Sequence, residues 1–370
     1  MDNLTHSLVA LTLAQSRLRT AGRGTTATLL VASNAPDIDF VSVFMDGSTS
    51  YLAAHRGPTH SLLGVLGLTV LTTLLVRLGY VLFGRRNEPP LGKRVLAAAL
   101  VGCACHVAMD LPTLYGTRIL TPFNTAWYAA DWIPIIDVYL LALLGAGLAA
   151  ARLRPAARDT IVASVIVLMG ANYALRGMLH YRALQEAAGG APSAAAALGT
   201  PAGRRPILEH VHSWPNSPHG KLPTDRACVA ESPPGDVAHG CLVDAAALPT
   251  FLSPFHWRLV RAYTHGYALK EIDLLDRPLP ADERWYPSTD GPLVTIAARA
   301  RPADVLLRFS RFPAAQVLPP DDGPVVVRFD EIRFLGGPGP LREGSEPRPL
   351  FSVLVSLDAN SRGGSERSDR

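Results

Sequence analysis

Residues 61–83 read SLLGVLGLTVLTTLLVRLGYVLF, an apolar stretch in which Arg77 is the only charged residue. At a rise of about 1.5 Å per residue, a helix of this length covers the hydrocarbon core of a bilayer, which is about 30 Å thick. Arg77 lies near one end of the stretch, where a long side chain can reach the lipid headgroups. The stretch therefore predicts a transmembrane helix.

Three further stretches have the same character: residues 95–111, 133–151 and 160–175. The first is apolar apart from His106 and Asp110, the second contains only Asp137 as a charged residue, and the third contains no charge. Residues 4–16 and 25–33 are shorter, and we expect them to form short tilted or re-entrant helices. Together these stretches predict an α-helical polytopic membrane bundle.

The basic residues give this bundle an orientation, because cytoplasmic loops carry an excess of Lys and Arg. They gather in three connections: Arg17, Arg19 and Arg23; Arg85, Arg86, Lys93 and Arg94; Arg152, Arg154 and Arg158. If these connections are cytoplasmic, the N-terminus, residues 34–60, residues 112–132 and everything after about residue 180 lie outside. The sequence thus predicts a multi-pass protein of a bacterial inner membrane with an extracytoplasmic C-terminal domain.

The second half of the chain is rich in Pro, Asp, Glu and Arg, whereas the first half is rich in Ala, Leu, Val and Gly. Residues 183–206 are typical of a flexible linker, and residues 359–370 of a disordered tail. Between them, Pro, Gly and Asp separate short alternating runs such as HWRLVRAY, DVLLRFSRF, PVVVRFDEIRFL and LFSVLVSLD. We therefore predict a membrane helical domain over residues 1–182 and a small β-rich extracytoplasmic domain over residues 207–358.

Composition also bears on partners and compartment. The mean hydropathy of +0.17 is high for a soluble enzyme. The net charge is only +4, and no basic patch is interleaved with aromatic residues, so we expect no nucleic-acid partner. Cys103 and Cys105 lie in an apolar stretch, and we expect them to be packing residues. Cys228 and Cys241 are close enough in sequence to form a disulfide in an oxidising compartment, and are otherwise two free thiols.

Polar residues at membrane depth indicate function, because each charged group there costs about 3 kcal/mol on insertion scales. His106 and Asp110 are four residues apart and therefore share one face of a helix, near its outer end. His60, with His55 before it, opens its span at the outer face. Asp137 lies just inside the outer start of another span. The orientation, derived from Arg and Lys alone, thus places these groups at one face.

Further acids and a histidine lie in the outer segments: Asp37, Asp39 and His6. Histidine nitrogens and Asp oxygens are the ligand set of Zn²⁺, and Asp-rich sets also suit Mn²⁺ or Mg²⁺. A bound metal lowers the pKa of a coordinated water to about 7 and so supplies a nucleophile. We expect a divalent metal, zinc first, with ligands His6, His55, His60, His106 and Asp110, and with Asp37, Asp39 and Asp137 as catalytic residues.

Each of these residues also has a structural explanation. The acids of NAPDID can cap a helix that begins there, and His55 can be an ordinary loop residue. Asp137 can pair with Arg118 or Arg56. These two arginines lie on the outer face beside the cluster, where they either bind an anionic group of the substrate, such as a phosphate, or contact headgroups and the nearby acids.

Five motifs occur in order along the chain: MDNLTHSL, NAPDID, HRGPTHSLLG, HVAMDLPTLYGTRILTPF and IIDVYLL. With them, about the first 180 residues resemble the membrane-bound metal-dependent hydrolases, also called the YdjM-like or LexA-binding inner-membrane hydrolases. PTFLSPFHWRLV resembles the segment that follows the membrane part in that family. The resemblance implies a divalent metal and a hydrolytic reaction, with the motif residues His6, Asp37, Asp39, His55, His60, His106, Asp110 and Asp137.

We therefore expect a membrane-bound metal-dependent hydrolase that cleaves a phosphoester or ester at the outer membrane face, with the bilayer and a lipid or envelope precursor as partners. A divalent-cation transporter would need ligands spread through the depth of the membrane, whereas these gather at one face. A non-catalytic scaffold stabilised by metal is the alternative that the sequence leaves open. Binding of LexA fits poorly, because that protein is cytoplasmic and only short loops are predicted there.

Overall fold

A computed structural model describes residues 1–18, 24–83, 93–187, 211–228, 239–277, 283–318, 324–335 and 349–357. The chain divides into two compact units. The first comprises Met1–Met45 and Ala54–Arg176, and the second comprises Asp46–Ala53 and Gly177–Arg370. The predicted linker beyond residue 187, the predicted tail and several of the orienting bases (Arg19, Arg23, Arg85 and Arg86) lie outside the described residues.

Helices build the first unit. They are α1 (Asn3–Gln15), α2 (Thr25–Ala32), α3 (Val43–Ala54), α4 (Leu62–Phe83), α5 (Lys93–Asp110), α6 (Val138–Leu153) and α7 (Arg158–Ala187), with 3-10 turns at Pro36–Ser42, Pro58–His60 and Pro155–Ala157. Helix α3 is kinked at Asp46 and Gly47, and α3 and α7 both continue into the second unit. A short strand, β1 (Trp127–Ala129), exchanges backbone hydrogen bonds with Thr117 through Tyr128.

Small residues let the helices of this unit approach closely. A Cβ atom added at Gly102 would lie only 2.7 Å from Cβ of Ala32, so α5 and α2 are in contact there. Ala32 belongs to a buried apolar cluster that also includes Val65 of α4 and Val107 of α5. Because Ser33 follows α2 directly, the contact brings the end of α2 against the same stretch of α5 that carries His106.

The expected polytopic bundle is wrong. Among the described residues, only Leu62–Phe83 and Pro155–Ala187 are long and apolar enough to cross a membrane. Helix α6 has 16 residues, which gives it a length of about 24 Å, less than the bilayer core of about 30 Å. Helix α5 carries Lys93, Arg94 and Asp110 within its 18 residues. The fold is instead mixed, with helices followed by antiparallel sheets.

The second unit contains most of the strands. One antiparallel sheet has the order β3 (Leu242–Pro249), β4 (His256–Tyr263), β5 (Gly266–Asp273), β6 (Arg284–Pro287), and another has β7 (Pro313–Leu318), β8 (Val325–Glu331), β9 (Ser352–Leu357). The remaining elements are β2 (His212–Trp214), α8 (Pro292–Ala297), α9 (Arg301–Phe309) and 3-10 turns at Pro223–Asp225 and Ile332–Phe334. Val260, Tyr267, Phe312 and Ile332 belong to its apolar core.

One of the runs predicted as strands is a helix. Most of DVLLRFSRF lies in α9. The helix buries Ala303, Leu306 and Leu307, which are spaced three to four residues apart, as the period of a helix requires. HWRLVRAY forms β4, as its alternation predicts. Cys228 and Cys241 form a disulfide, whereas Cys103 and Cys105 are free thiols.

Candidate metal centre

Four side chains of the kind that bind metals meet in the first unit: Asp37, His60, His106 and Asp110. Asp37 belongs to the 3-10 turn Pro36–Ser42, and His60 ends the turn Pro58–His60. The other two lie one turn apart at the end of α5, on the same face of the helix. One ligand atom from each of the four lies within 4.8 Å of the others.

The distances between these atoms fit a tetrahedral metal ion. His60 Nε2 and His106 Nε2 are 3.1 Å apart. Asp37 Oδ1 lies 3.4 and 3.5 Å from these two nitrogens, and Asp110 Oδ2 lies 3.3 and 3.4 Å from them. Ligands at about 2.0–2.1 Å from a tetrahedral ion lie about 3.4 Å from one another. Five of the six distances among the four donor atoms therefore have the spacing that a zinc-sized ion requires, and the sixth, between the two carboxylate oxygens, is within 4.8 Å.

The hydrogen bonds of the two histidines fix their tautomers. His106 Nδ1 lies 2.7 Å from the carbonyl oxygen of Ser33, which can only accept, so Nδ1 carries a proton. Thr59 Oγ1 donates to Asp39 Oδ2 at 2.9 Å and therefore accepts from His60 Nδ1 at 3.1 Å. Each ring thus directs Nε2 toward the other, and the space between the two nitrogens holds at most one proton. Two nitrogens and two carboxylate oxygens converge there, an arrangement that favours a cation.

Burial and charge support the same conclusion. Asp110 and both histidines are buried, and Asp110 Oδ2 makes no hydrogen bond within the described residues. Burial by itself would raise the pKa of Asp37, but the neighbouring imidazoles of His106 and His60 outweigh it and hold that pKa well below its usual range. The group is therefore an ionised carboxylate close to a second buried acid, and a cation would offset both charges.

Asp39 lies behind the four ligands rather than among them. Its Oδ1 lies 2.9 Å from His55 Nδ1, and its Oδ2 accepts from the backbone N–H of Arg56 at 3.0 Å and lies 3.3 Å from His60 Nδ1. Asp37, Asp39 and His55 also have ligand atoms within 4.8 Å of one another. Because both oxygens of Asp39 already accept hydrogen bonds, its geometry suits a carboxylate that orients metal-binding histidines.

His6 lies against the centre without belonging to the group of four. Its ring stacks on that of His106, with centroids 3.8 Å apart and an interplanar angle of 18°. His6 Nε2 is 3.5 Å from Asp110 Oδ1, and neither ring nitrogen makes a hydrogen bond within the described residues. The side chain is therefore a buried, unbonded imidazole next to the candidate metal site.

The two arginines predicted to bind substrate make contacts within the protein. Arg56 donates to Asp110 Oδ1 at 2.9 Å and to Thr113 Oγ1 at 2.8 Å. The α-amino group of Met1 contacts the same Asp110 oxygen. Arg118 lies over the ring of Trp127, 4.8 Å from its centroid, and its NH2 group is 3.4 Å from the carbonyl oxygen of Ala54. The structure thus places Arg56 directly behind one ligand and Arg118 beside the segment that carries His55.

Asp137, predicted as catalytic, lies elsewhere in the unit. Its Oδ1 accepts from the backbone N–H groups of Tyr139 and Leu140 and so caps the start of α6. Its Oδ2 lies 2.9 Å from Nε of Arg176 and accepts from Asn172. Asp137 is absent from the metal-binding groups found among the described residues. These contacts are those of a helix cap and a buried ion pair.

Several residues of the site had no signal in the sequence. The carbonyl of Ser33 belongs to the backbone, and only the contact between α2 and α5 brings it to His106. Thr59 stands next to His60, but a threonine before a histidine is common and predicts nothing alone. Thr113 anchors Arg56 after α5 has ended. These three residues position the site and do not bind metal themselves.

Comparisons with known proteins show what this part of the chain is similar to. Residues 1–183 match the model of the YdjM inner membrane protein family. The chain is 31% identical over 111 residues to the uncharacterized protein YfhP of Bacillus subtilis (strain 168), an alignment that covers 30% of this chain and 32% of that protein. The chain thus aligns with about a third of that relative's length. No solved structure matches the chain. Its N-terminal half, residues 1–183, belongs to the YdjM inner membrane protein family.

Proposed function

We propose that this chain is a membrane-bound metal-dependent hydrolase whose metal ion is held by Asp37, His60, His106 and Asp110. The convergence of two imidazole nitrogens and two carboxylate oxygens at tetrahedral spacing carries the proposal. Zn²⁺ suits this ligand set best, because Mg²⁺ and Mn²⁺ favour six oxygen ligands. For catalysis, water would have to take a fifth position beside these four residues or the place of one carboxylate. A divalent cation bound there would then lower the pKa of that water to about 7 and supply a nucleophile at neutral pH.

The surrounding residues have distinct tasks in this proposal. Arg56 pairs with Oδ1 of Asp110 and leaves Oδ2 directed at the histidines. Asp39 holds His60 with its Nε2 facing the centre. His6 stacks on His106, and its two ring nitrogens make no hydrogen bond within the described residues, so we assign it the task of accepting a proton from an attacking water.

The orientation of the chain also belongs to this proposal. The disulfide between Cys228 and Cys241 favours an oxidising compartment for the second unit, since cytosolic thiols are kept reduced. His60 precedes the candidate span Leu62–Phe83, whose other end leads into the basic stretch around Arg85. By the excess of bases in cytoplasmic loops, the end with His60 faces outside. We therefore place the metal centre at the outer face of the inner membrane.

Metal content and turnover test the function together. The full chain is purified in detergent, and bound metal is measured by mass spectrometry for the native protein, His106→Ala, Asp110→Ala and the control His219→Ala, which changes an exposed histidine. Each protein is then assayed on phosphomonoesters, phosphodiesters and carboxyl esters. We expect stoichiometric zinc and hydrolysis in the native protein and the control, and loss of both in the two site variants.

The outcomes separate the candidate functions. Metal in the native protein without hydrolysis of any ester would favour a scaffold that uses the ion only to hold its helices. Native protein without metal, after purification in zinc-containing buffer, would contradict both the hydrolase and the scaffold. Hydrolysis retained by His106→Ala and Asp110→Ala would place the reaction elsewhere in the chain.

A further inference from the structure

The turn that carries Asp37 has a polarity opposite to that of a water-soluble protein. In Pro36–Ser42, Asp39 is buried and Asp37 is mostly buried, whereas Ile38, Phe40 and Val41 expose 52%, 56% and 58% of their surface. A segment in water would place these apolar side chains inside. An exposed contiguous apolar surface of this kind marks a binding site or a membrane contact.

The apolar surface continues into the following helix. Phe44 and Met45, at the start of α3, expose 82% and 83% of their surface, among the largest exposed fractions for apolar residues in the first unit. Five apolar side chains thus follow one another on the outside of residues 38–45: Ile38, Phe40, Val41, Phe44 and Met45. We call this set the apolar rim.

The apolar rim adjoins the start of a candidate membrane span. The turn Pro36–Ser42 contacts α4, in which Leu62, Leu63 and Leu66 are exposed. The backbone N–H of Leu62 donates to the carbonyl of Ile119 at 3.0 Å, which brings the loop with the exposed Phe123 to the same helix end. If Leu62–Phe83 crosses the membrane, its exposed leucines face acyl chains, and the rim continues that surface.

We infer that the apolar rim lies in the outer leaflet and that the substrate of the metal centre is a membrane phospholipid, cleaved at a phosphoester of its headgroup. This inference rests on the proposed hydrolase function. His60 is separated from Leu62, the first residue of the span, by only one residue, so the metal centre lies where the span leaves the hydrocarbon core. Lipid phosphates occupy that same level of a bilayer.

Water is the only co-reactant that this hydrolysis consumes. Water adds across the scissile P–O bond: its hydroxyl bonds to phosphorus, and its remaining proton ends on the oxygen of the alcohol that leaves. The apolar rim would hold the acyl chains of the lipid and thereby fix the phosphate beside Asp37, since the short turn Pro36–Ser42 carries Asp37 and three residues of the rim.

A contact experiment tests the rim without any assay of activity. A photo-reactive phenylalanine analogue replaces Phe44 in the full chain, which is reconstituted in nanodiscs of phosphatidylethanolamine and phosphatidylglycerol. The control carries the analogue at Ile296, an exposed apolar residue of α8. We expect lipid adducts, detected by mass spectrometry, at position 44 and few at position 296. Equal yields at the two positions would overturn the lipid contact.

A second experiment tests the substrate. Hydrolysis of phosphatidylglycerol in the nanodiscs and of the soluble ester p-nitrophenyl phosphate is compared for the native chain, Phe44→Asn with Met45→Gln, and the control Leu293→Gln with Ile296→Gln. We expect roughly tenfold slower cleavage of the lipid in the rim variant, with the soluble ester unaffected, because two apolar anchors are lost. The control should match the native chain.

The results distinguish failure of the inference from failure of the proposed function. An equal loss on lipid and soluble ester in the rim variant would overturn a role in lipid capture. Release of fatty acid instead of a phosphate-bearing headgroup would overturn the phosphoester assignment. A further outcome is that the native chain hydrolyses neither substrate while the chain with the analogue at position 44 still forms lipid adducts. That result would contradict the hydrolase function and the lipid substrate, but the contact of the rim with the bilayer would stand.

Discussion

At the scale of single residues, Asp39 is not one of the four ligands, but it contacts and orients two histidines at the metal centre. Its two oxygens interact with Nδ1 of both His55 and His60. In Asp39→Asn, one of these oxygens becomes an amide nitrogen that cannot accept, so at least one imidazole loses its orienting partner. Because such partners fix the tautomer of a ligand, we expect a fall of about 10–100-fold in metal affinity. Competition with a coloured zinc chelator measures the affinity.

The matched control is Asp304→Asn, which changes a half-buried carboxylate that pairs with Arg308 in α9. It should bind zinc like the native chain. If Asp39→Asn does the same, the carboxylate is not required to orient His60, and the tautomers of the centre must be fixed by other groups.

Residue spacing explains which ligands the sequence could predict. His106 and Asp110 are separated by one helical turn, so their approach follows from local structure alone. The meeting of Asp37 with His60 depends on how α2, α4 and α5 pack, and the sequence signalled it only through the outward placement of both residues. Asp137 had the same outward placement, yet its side chain turns to Arg176 and the start of α6. Position along a span therefore does not determine the direction of a side chain.

At the scale of elements, the close approach of α4 to the turn Pro58–His60 depends on Gly64. A Cβ atom added there would lie 2.0 Å from the carbonyl oxygen of Pro58 and 2.7 Å from that of Thr59. Gly64→Ala should therefore displace the turn and His60 with it. We expect zinc affinity to fall at least about tenfold, although alanine favours a helix over glycine by about 0.5–1 kcal/mol.

Gly67→Ala is the matched control, because a Cβ atom at that position of α4 meets no heavy atom within 4 Å. Zinc titrations of both variants and of the native chain provide the comparison. Should both alanine variants bind zinc equally well, the position of His60 does not depend on the packing at Gly64.

Element periodicity also explains the errors in the fold. The apolar content of residues 95–111 suggested a span, but α5 begins at Lys93 and ends at Asp110, so its 18 residues carry charges at both ends. DVLLRFSRF contains apolar pairs that fit a strand as well as a helix, and burial of Ala303, Leu306 and Leu307 selects the helix. A short apolar run does not by itself specify what covers it.

At the scale of the whole molecule, the disulfide gives a test of the proposed orientation. If the second unit is extracytoplasmic, Cys228 and Cys241 should be bonded in cells while Cys103 and Cys105 stay reduced. Cells are quenched in acid, and the denatured protein is alkylated with a maleimide that adds a large mass. We expect two modified cysteines without reductant and all four of the chain's cysteines after reduction.

Cells that lack the enzymes of disulfide formation provide the control, and there all four cysteines should react directly. Four reactive cysteines in normal cells would instead place the second unit in a reducing compartment. The bases that gave the orientation then would not be those that face the cytoplasm. The match to the inner membrane family would be unaffected, since it extends only over residues 1–183.

The donor atoms of the metal centre come from three separate stretches of the chain: two 3-10 turns and the end of α5. An ion held by all of them would act as a cross-link that exists only in the folded state. At a free concentration about 100 times its dissociation constant, such an ion adds about 2.7 kcal/mol to the free energy of unfolding. That is a large share of the roughly 5–15 kcal/mol that keeps a typical protein folded. In the proposed hydrolase, metal supply would thus govern how much folded protein the membrane retains as well as how fast it reacts.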